Sequence, residues 1–179
     1  MGRRWTKPQG MPNVHAPVIR IRPAAVRTIK AEAPSSADGR ETGGILLGHD
    51  PAPDGRIEVT TAGDPGPAAN RQCDRFTRDL THAQRLADEA YAHDGSVWLG
   101  EWHTHPTGPP TPSARDMATY RRLFGDDELA FERIVSLIVT PHPADGWHQP
   151  VLWSWLITPA AVDAAQVITT PPSRPRGPG

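Results

Sequence analysis

Cysteine and lysine are both scarce in this 179-residue chain. Cys73 is the one thiol, which excludes an internal disulfide and a zinc site built from several thiolates. Lysine occurs only at Lys7 and Lys30, so arginine carries most of the positive charge. The formal net charge is -1, and no stretch combines arginine with interleaved aromatic residues. We therefore expect no nucleic-acid partner, because the chain offers no basic field for a phosphate backbone.

Long hydrophobic runs are also missing. No apolar stretch of the sequence approaches the length of a membrane span. The first residues carry arginines but lack the apolar segment of a secretory signal. We therefore expect a soluble, cytoplasmic protein with no membrane partner.

The length of the chain suits one hydrophobic core. Proline is frequent, with 21 residues, and four of these lie in the last nine positions. The sequence therefore predicts a polar, disordered tail over residues 1–13, one domain over residues 14–168, and a disordered tail rich in Pro and Arg over residues 169–179.

Short strands alternate with helices between the two predicted tails. Apolar runs and period-two patterns predict strands at 18–21, 45–47, 57–61, 97–105, 134–139 and 151–157. Helical spacing predicts helices that begin at Pro23, Leu80 and Ser113, with loops over 34–40 and 63–75. This order indicates a mixed α/β fold in which helices cover a sheet.

Two histidines near the end of one predicted strand are candidate metal ligands. Side chains alternate along a strand, so His103 and His105 lie on one face and can reach the same ion. Pro106 ends the ladder and leaves both histidines at the mouth of a loop. Asp116 is the candidate third ligand, and a fourth position left open for water is typical of catalytic zinc. Glu101 shares the parity of the histidines and is a second-ranked candidate to face the metal.

The segment that contains Asp116 has a structural explanation as well. Ser113 and Asp116 form the Ser-x-x-Asp pattern of a helix capping box before an amphipathic run. A helix that begins at Ser113 places Asp116 in its first turn, where the helix dipole favours a carboxylate. The two roles are compatible, since the same carboxylate can turn toward the histidines.

Glu41 is the candidate catalytic acid or base. A glutamate before a strand is most often a solvated loop residue. Here Gly43 and Gly44 follow it, and their lack of bulk allows another backbone or a substrate to approach closely.

These segments together resemble a known motif. Glu41, then His103-Thr104-His105-Pro106, then Ser113-Ala114-Arg115-Asp116 is similar to the JAMM motif of the JAB1/MPN/Mov34 metalloprotease family. The resemblance covers roughly residues 14–160. It implies a single JAB/MPN-like domain, a curved mixed sheet flanked by helices in a cytidine-deaminase-like architecture, with one Zn²⁺ per chain.

The resemblance also implies a role for each residue. His103, His105 and Asp116 would bind zinc, Glu41 would carry the proton, and Ser113 would donate to the oxyanion of the tetrahedral intermediate. The implied enzyme is a zinc isopeptidase that cleaves the amide after the C-terminal residue of a ubiquitin-like modifier. The modifier tail is expected to bind as an added strand, with residues 63–76 and 107–112 as candidate walls.

The segments Glu-Thr-Gly-Gly-Ile-Leu-Leu-Gly at 41–48 and Gly-Glu-Trp-His-Thr-His-Pro at 100–106 look most similar to compact bacterial JAB domains. Such domains occur with ubiquitin-like conjugation enzymes, including those of antiphage operons. The expected partners are therefore a ubiquitin-like modifier or its conjugates and E1/E2-like conjugation enzymes.

Two other functions stay open at the level of sequence. One keeps the zinc and changes the substrate to a sulfur-carrier protein. The other is a non-enzymatic scaffold that binds ubiquitin-like proteins, since domains of this family also serve in assembly. Inactive relatives lack parts of the motif, whereas this chain contains every part, and a fold alone does not decide between them.

Overall fold

The computed structural model of the chain describes residues 16–51 and 56–169. The predicted tail at 1–13 lies outside these residues, as does the tail at 169–179 except for Thr169. The strands are β1 Val18–Ile21, β2 Gly43–His49, β3 Ile57–Ala62, β4 Asn70–Arg71, β5 Phe76–Thr77, β6 Val97–Thr104, β7 Ile134–His142, β8 Gly146–Ile157, β9 Val162–Ala164 and β10 Gln166–Thr169. The helices are α1 Pro23–Glu32, α2 Leu80–Asp94 and α3 Ala114–Phe124, with a 3-10 helix at Ala33–Asp38.

Eight strands within the described residues form one mixed sheet, in the order β10-β1-β3-β2-β6-β7-β8-β9. Strand β1 runs parallel to β10 and β3, and β6 runs parallel to β7. The sheet curves until it is nearly a barrel, because β9 and β10 lie at opposite ends of it and only Ala165 separates them in the chain. The N–H of Ala165 donates to Ser154 at 2.8 Å, and that of Gln166 donates to Pro17 at 2.8 Å. The predicted mixed α/β fold is confirmed.

Some details differ from the sequence prediction. The loop predicted over 34–40 begins as a 3-10 helix, since Pro34 ends α1 yet fits the first turn of the tighter helix. The loop predicted over 63–75 contains β4, which is too short to produce a period-two pattern. Strands β9 and β10 were not predicted, because both are exposed and show no alternation of burial. No described helix is long and apolar enough to cross a bilayer.

Each helix packs an apolar face on the sheet. The largest cluster joins α1 to the strands through residues such as Ile19, Ile29, Val59 and Trp102. Smaller clusters form under α2, against β2, and under α3, against β7 and β8. Trp102 is 1% exposed and its indole N–H donates to the Gly63 carbonyl at 2.9 Å. This tryptophan therefore belongs to the core.

Gly43 allows β2 to approach β6 closely. The two strands are antiparallel, and Gly43 lies opposite His103. A Cβ atom on Gly43 would lie 2.2 Å from the Trp102 carbonyl oxygen and 2.9 Å from the His103 Cα atom. Both obstacles are backbone of the neighbouring strand, so only glycine permits this pairing.

We expect Gly43→Ala to lower the free energy of unfolding by about 1–3 kcal/mol, the usual cost of inserting a group into a packed interior. Gly125→Ala is the matched control, because its Cβ would meet the Arg121 and Arg122 carbonyl oxygens at 3.5 and 3.7 Å, which are ordinary contacts. Urea unfolding of the two variants and the parent chain measures the difference. Equal stability of all three would contradict the close approach.

Candidate metal centre

The three predicted ligands come together at the end of β6. His103 and His105 point to one side, with 3.0 Å between their Nε2 atoms. The Oδ2 atom of Asp116 lies 3.4 Å from His103 Nε2 and 3.7 Å from His105 Nε2. Both histidines are buried, at 4% and 5% exposed. The side chains converge on one point from the end of a strand and from the first turn of the helix that follows it in the chain.

A hydrogen bond selects the tautomer of His105. Its Nδ1 atom lies 2.7 Å from the Pro109 carbonyl oxygen. A carbonyl only accepts, so Nδ1 carries the proton and the neutral ring presents the lone pair of Nε2 to His103 and Asp116. This is the usual outer partner of a metal-binding histidine. Two imidazole nitrogens and a carboxylate therefore fit a divalent ion of the zinc type.

Electrostatics keep Asp116 ionised. Burial alone would raise its pKa, but the neighbouring His103 and His105 imidazoles outweigh burial, so the pKa of Asp116 is lowered. Burial would lower the pKa of His103, and the hydrogen bond and charge of Asp116 reverse this and raise it. The centre thus holds a permanent carboxylate that can balance the charge of a cation.

A capping box at the start of α3 orients Asp116, as the sequence predicts. The Asp116 N–H donates to Ser113 Oγ at 3.2 Å, and the Ser113 N–H donates to Asp116 Oδ2 at 2.6 Å. Oδ2 is the same oxygen that faces the histidines. The Ser113 oxygen accepts in this pair, which leaves its own O–H to donate elsewhere.

The proline-rich loop between the histidines and α3 is held at two successive carbonyls. Pro109 accepts from His105, and Pro110 accepts from the indole N–H of Trp155 on β8 at 3.0 Å. Trp155 thereby positions the segment that leads to Ser113. The sequence placed this tryptophan in a strand, but nothing in the pattern indicated its contact with the loop.

Glu41 is joined to the histidine strand through its neighbour in the chain. The Thr42 N–H donates to Thr104 Oγ1 at 2.9 Å, and the Thr104 N–H donates to the Thr42 carbonyl at 2.8 Å. Thr104 stands between the two histidines, so this contact fixes Glu41 beside the centre. Burial raises the pKa of Glu41, against the opposing effect of His103 and His105. A carboxylate of raised pKa is suited to proton transfer near neutral pH.

A cleft of about 710 Å³ opens over these groups. One wall is the cleft hairpin, which we define as residues 70–77 with β4, β5 and their turn. The other wall is α3. Arg115 of α3 reaches across to the hairpin turn, where it donates to the Asp74 carbonyl at 2.5 Å. Four of the predicted site residues line the cleft, namely Glu41, His103, Ser113 and Asp116.

Glu101 lines the same cleft but is not part of the converging triad. Its carboxylate pairs with the Arg78 guanidinium, and both side chains are largely buried. Arg78 also lies over the Trp98 ring, 5.7 Å from its centroid. The sequence ranked Glu101 second to Asp116, and it could not reveal the arginine partner, which comes from the segment before α2.

The chain is similar to known bacterial proteins in sequence. Residues 23–162 match the family described as prokaryotic homologs of the JAB domain. A protein named CD-NTase/cGAS isopeptidase from Vibrio cholerae is 36% identical over 97 residues, which cover 53% of this chain and 61% of the relative. A protein of the same name from Enterobacter hormaechei is 30% identical over 110 residues, covering 60% of this chain and 59% of the relative. The chain thus spans about three fifths of these relatives.

Solved structures show the same fold. A solution structure of a Desulfitobacterium hafniense protein has a TM-score of 0.60 and 25% identity, covering 85% of this chain and 92% of the other. A Salinibacter ruber protein has a TM-score of 0.53 at 22% identity, covering 88% and 95%. Because the family match includes every residue of the centre and most of the chain, the protein belongs to the prokaryotic JAB-domain family.

Proposed function

We propose that this chain is a zinc-dependent isopeptidase that cleaves the amide bond at the C-terminus of a ubiquitin-like modifier. One observation carries the proposal: Glu41 and Ser113 line the same open cleft as His103 and Asp116, the two side chains that converge with His105. A non-enzymatic scaffold would not require a candidate proton carrier and oxyanion donor beside the three candidate metal ligands.

The proposed zinc site consists of the two histidine Nε2 atoms and the Asp116 carboxylate. Zinc bound there would supply Lewis acidity to the scissile carbonyl and to a water molecule. The protein fixes the ligands from outside, through Pro109 on His105 and through the Ser113 N–H on Asp116. Such outer contacts commonly change metal affinity by about 10- to 100-fold.

Glu41 is the proposed proton carrier. As water attacks the amide carbon, a C–O bond forms and Glu41 accepts the proton that the water loses. The C–N bond then breaks, and Glu41 delivers that proton to the departing amine. Its half-buried position in the cleft supports this role, because burial raises its pKa toward the range where both transfers are feasible.

Ser113 is the proposed donor to the oxygen that becomes negative during attack. Its hydroxyl oxygen accepts from the Asp116 N–H, so the hydroxyl hydrogen is available to the cleft. A donor in this position typically contributes about 3 kcal/mol to lowering the barrier.

The cleft hairpin is the proposed docking site for the modifier tail. Strand β5 of the hairpin pairs only with β4 among the residues that the structure describes. An extended tail can therefore add to its free edge as a third strand, with its last amide directed at the metal centre. Phe76 and the exposed Leu80 provide apolar contacts beside this edge.

The names of the curated relatives support isopeptidase chemistry and a CD-NTase-like conjugate. On that basis we propose that the chain acts with E1/E2-like conjugation enzymes in an antiphage system. A cytoplasmic location remains a prediction of the sequence. The sulfur-carrier substrate is the competing enzymatic alternative, and the tail experiment below separates the two.

We expect purified protein to contain about one zinc per chain and His105→Ala to lose it, since two ligands rarely hold a catalytic ion. Metal analysis by mass spectrometry of the native chain and the variant measures this. His148→Ala removes a histidine outside the triad and should retain the metal. Full zinc content in His105→Ala would count against the site.

We expect Glu41→Gln to keep its zinc and to lose at least about 100-fold in kcat, the scale of a missing general base. Gln preserves the size of the side chain but cannot accept the proton. The assay follows cleavage of a fusion between a ubiquitin-like modifier and a reporter protein, with metal content measured in parallel. An active Gln variant with unchanged metal would refute the role of Glu41.

We expect cleavage to depend on the last residues of the modifier, because an added strand is recognised through its backbone and alternate side chains. Replacing the final four residues by a Pro-containing sequence should reduce kcat/KM by at least about tenfold, since proline cannot donate to a ladder. A substitution on the opposite surface of the modifier serves as the control. Cleavage that is indifferent to the tail, or that requires a sulfur-carrier tail, would contradict the proposed substrate.

A further inference from the structure

The backbone of Glu41 is held on both sides by the cleft hairpin. Its N–H donates to the Gln72 carbonyl at 2.8 Å, and its carbonyl accepts from Arg71 Nε at 3.1 Å. Both partners follow Glu41 in the chain by about 30 residues. The position of this carboxylate therefore depends on a hairpin that also forms one wall of the cleft.

The Arg71 guanidinium forms hydrogen bonds with three residues of segment 38–41, namely Asp38, Arg40 and Glu41. Its two terminal nitrogens lie 3.3 and 3.2 Å from the carboxylate oxygens of Asp38, and one of them also donates to the Arg40 carbonyl at 3.3 Å. The side chain is 23% exposed. These bonds need N–H groups on a planar fork of separate nitrogens, and lysine carries its N–H groups on a single nitrogen.

The other end of the segment is fixed to the histidine strand. Thr42 exchanges hydrogen bonds with Thr104, which lies between the two histidines. Segment 38–42 therefore connects two supports, the histidine strand at Thr42 and the cleft hairpin at Asp38–Glu41. Glu41 bonds to the hairpin, and the next residue, Thr42, bonds to the histidine strand. A displacement of the hairpin is therefore expected to move Glu41 relative to the metal centre.

We infer that Arg71 is a positioning residue which couples the tail-binding hairpin to Glu41, so that docking of a substrate on the hairpin sets the placement of the proton carrier. The inference rests on the proposed function for the role of Glu41. It assigns Arg71 an effect on turnover rather than on binding of the tail, since the hydrogen bonds of its side chain are directed toward segment 38–41.

Three variants of the full chain test this. Arg71→Met removes every donor and keeps most of the apolar stem, and Arg71→Lys retains the charge without the fork. Arg133→Met is the matched control, because Arg133 also makes a two-point ion pair with an aspartate, Asp50, outside the cleft. Zinc content and thermal unfolding are measured for each, so that a variant that fails to fold is recognised.

The first readout needs no substrate. Hydrogen–deuterium exchange of the Glu41 amide should accelerate by at least tenfold in Arg71→Met and stay unchanged in Arg133→Met, with the β7 amides as an internal reference. Equal protection of the Glu41 amide in Arg71→Met and the parent chain would overturn the inference, because segment 38–41 would then be held without Arg71.

The second readout separates positioning from a structural role. With the modifier–reporter fusion, Arg71→Met should lower kcat by about 10- to 100-fold, the cost of a small misplacement of a catalytic group. KM should change by less than twofold, and Arg71→Lys should recover part of kcat. A raised KM at unchanged kcat would overturn the inference and assign Arg71 to tail binding.

The exchange experiment and the kinetic experiment together distinguish a failure of this inference from a failure of the proposed function. If the parent chain cleaves no ubiquitin-like fusion, the proposed substrate fails, and the exchange experiment still decides whether Arg71 holds Glu41. If the parent cleaves the fusion and Arg71→Met matches it in both kcat and exchange, the proposed function stands and the coupling fails.

Discussion

The antiparallel pairing of β2 with β6 is the constraint on which the metal centre depends. This pairing places Gly43 opposite His103. It continues beyond the start of β2 through the hydrogen bond from the Thr104 N–H to the Thr42 carbonyl. Glu41 reaches the cleft only because this register brings the start of one strand beside the end of the other. A shift of one residue would turn both histidines to the opposite face of the sheet.

The start of α3 contributes Asp116, the third side chain of the candidate metal centre. The same Asp116 oxygen closes the capping box and faces both histidines. Local helix stability and site geometry therefore depend on one rotamer. The Pro109 and Pro110 carbonyls hold the preceding loop from two directions, so α3 enters the site at a defined angle. This support keeps the Asp116 carboxylate beside the two histidines.

The sequence predicted the parts of the fold that follow from local pattern. The histidine strand, the start of α3 at Ser113 and the buried strand after Gly43 all follow from period, capping chemistry and glycine. Cross-chain contacts could not be predicted in the same way. Arg71 and Trp155 act through partners about 30 and 45 residues distant, and neither spacing nor parity carries that information. Short edge strands were missed for the related reason that exposure leaves no hydrophobic alternation.

The proline-rich loop between His105 and Ser113 is held at the Pro109 and Pro110 carbonyls, and these two contacts restrict insertions and deletions in the loop. One extra residue between His105 and Ser113 would offset the start of α3 by up to about 3.5 Å. That offset is as large as the 3.4 Å between Asp116 Oδ2 and His103 Nε2, so Asp116 would not stay beside the histidines while both carbonyl contacts persist. Insertions and deletions in related chains should therefore be rare in this loop and should accumulate where a connection bears no such contacts.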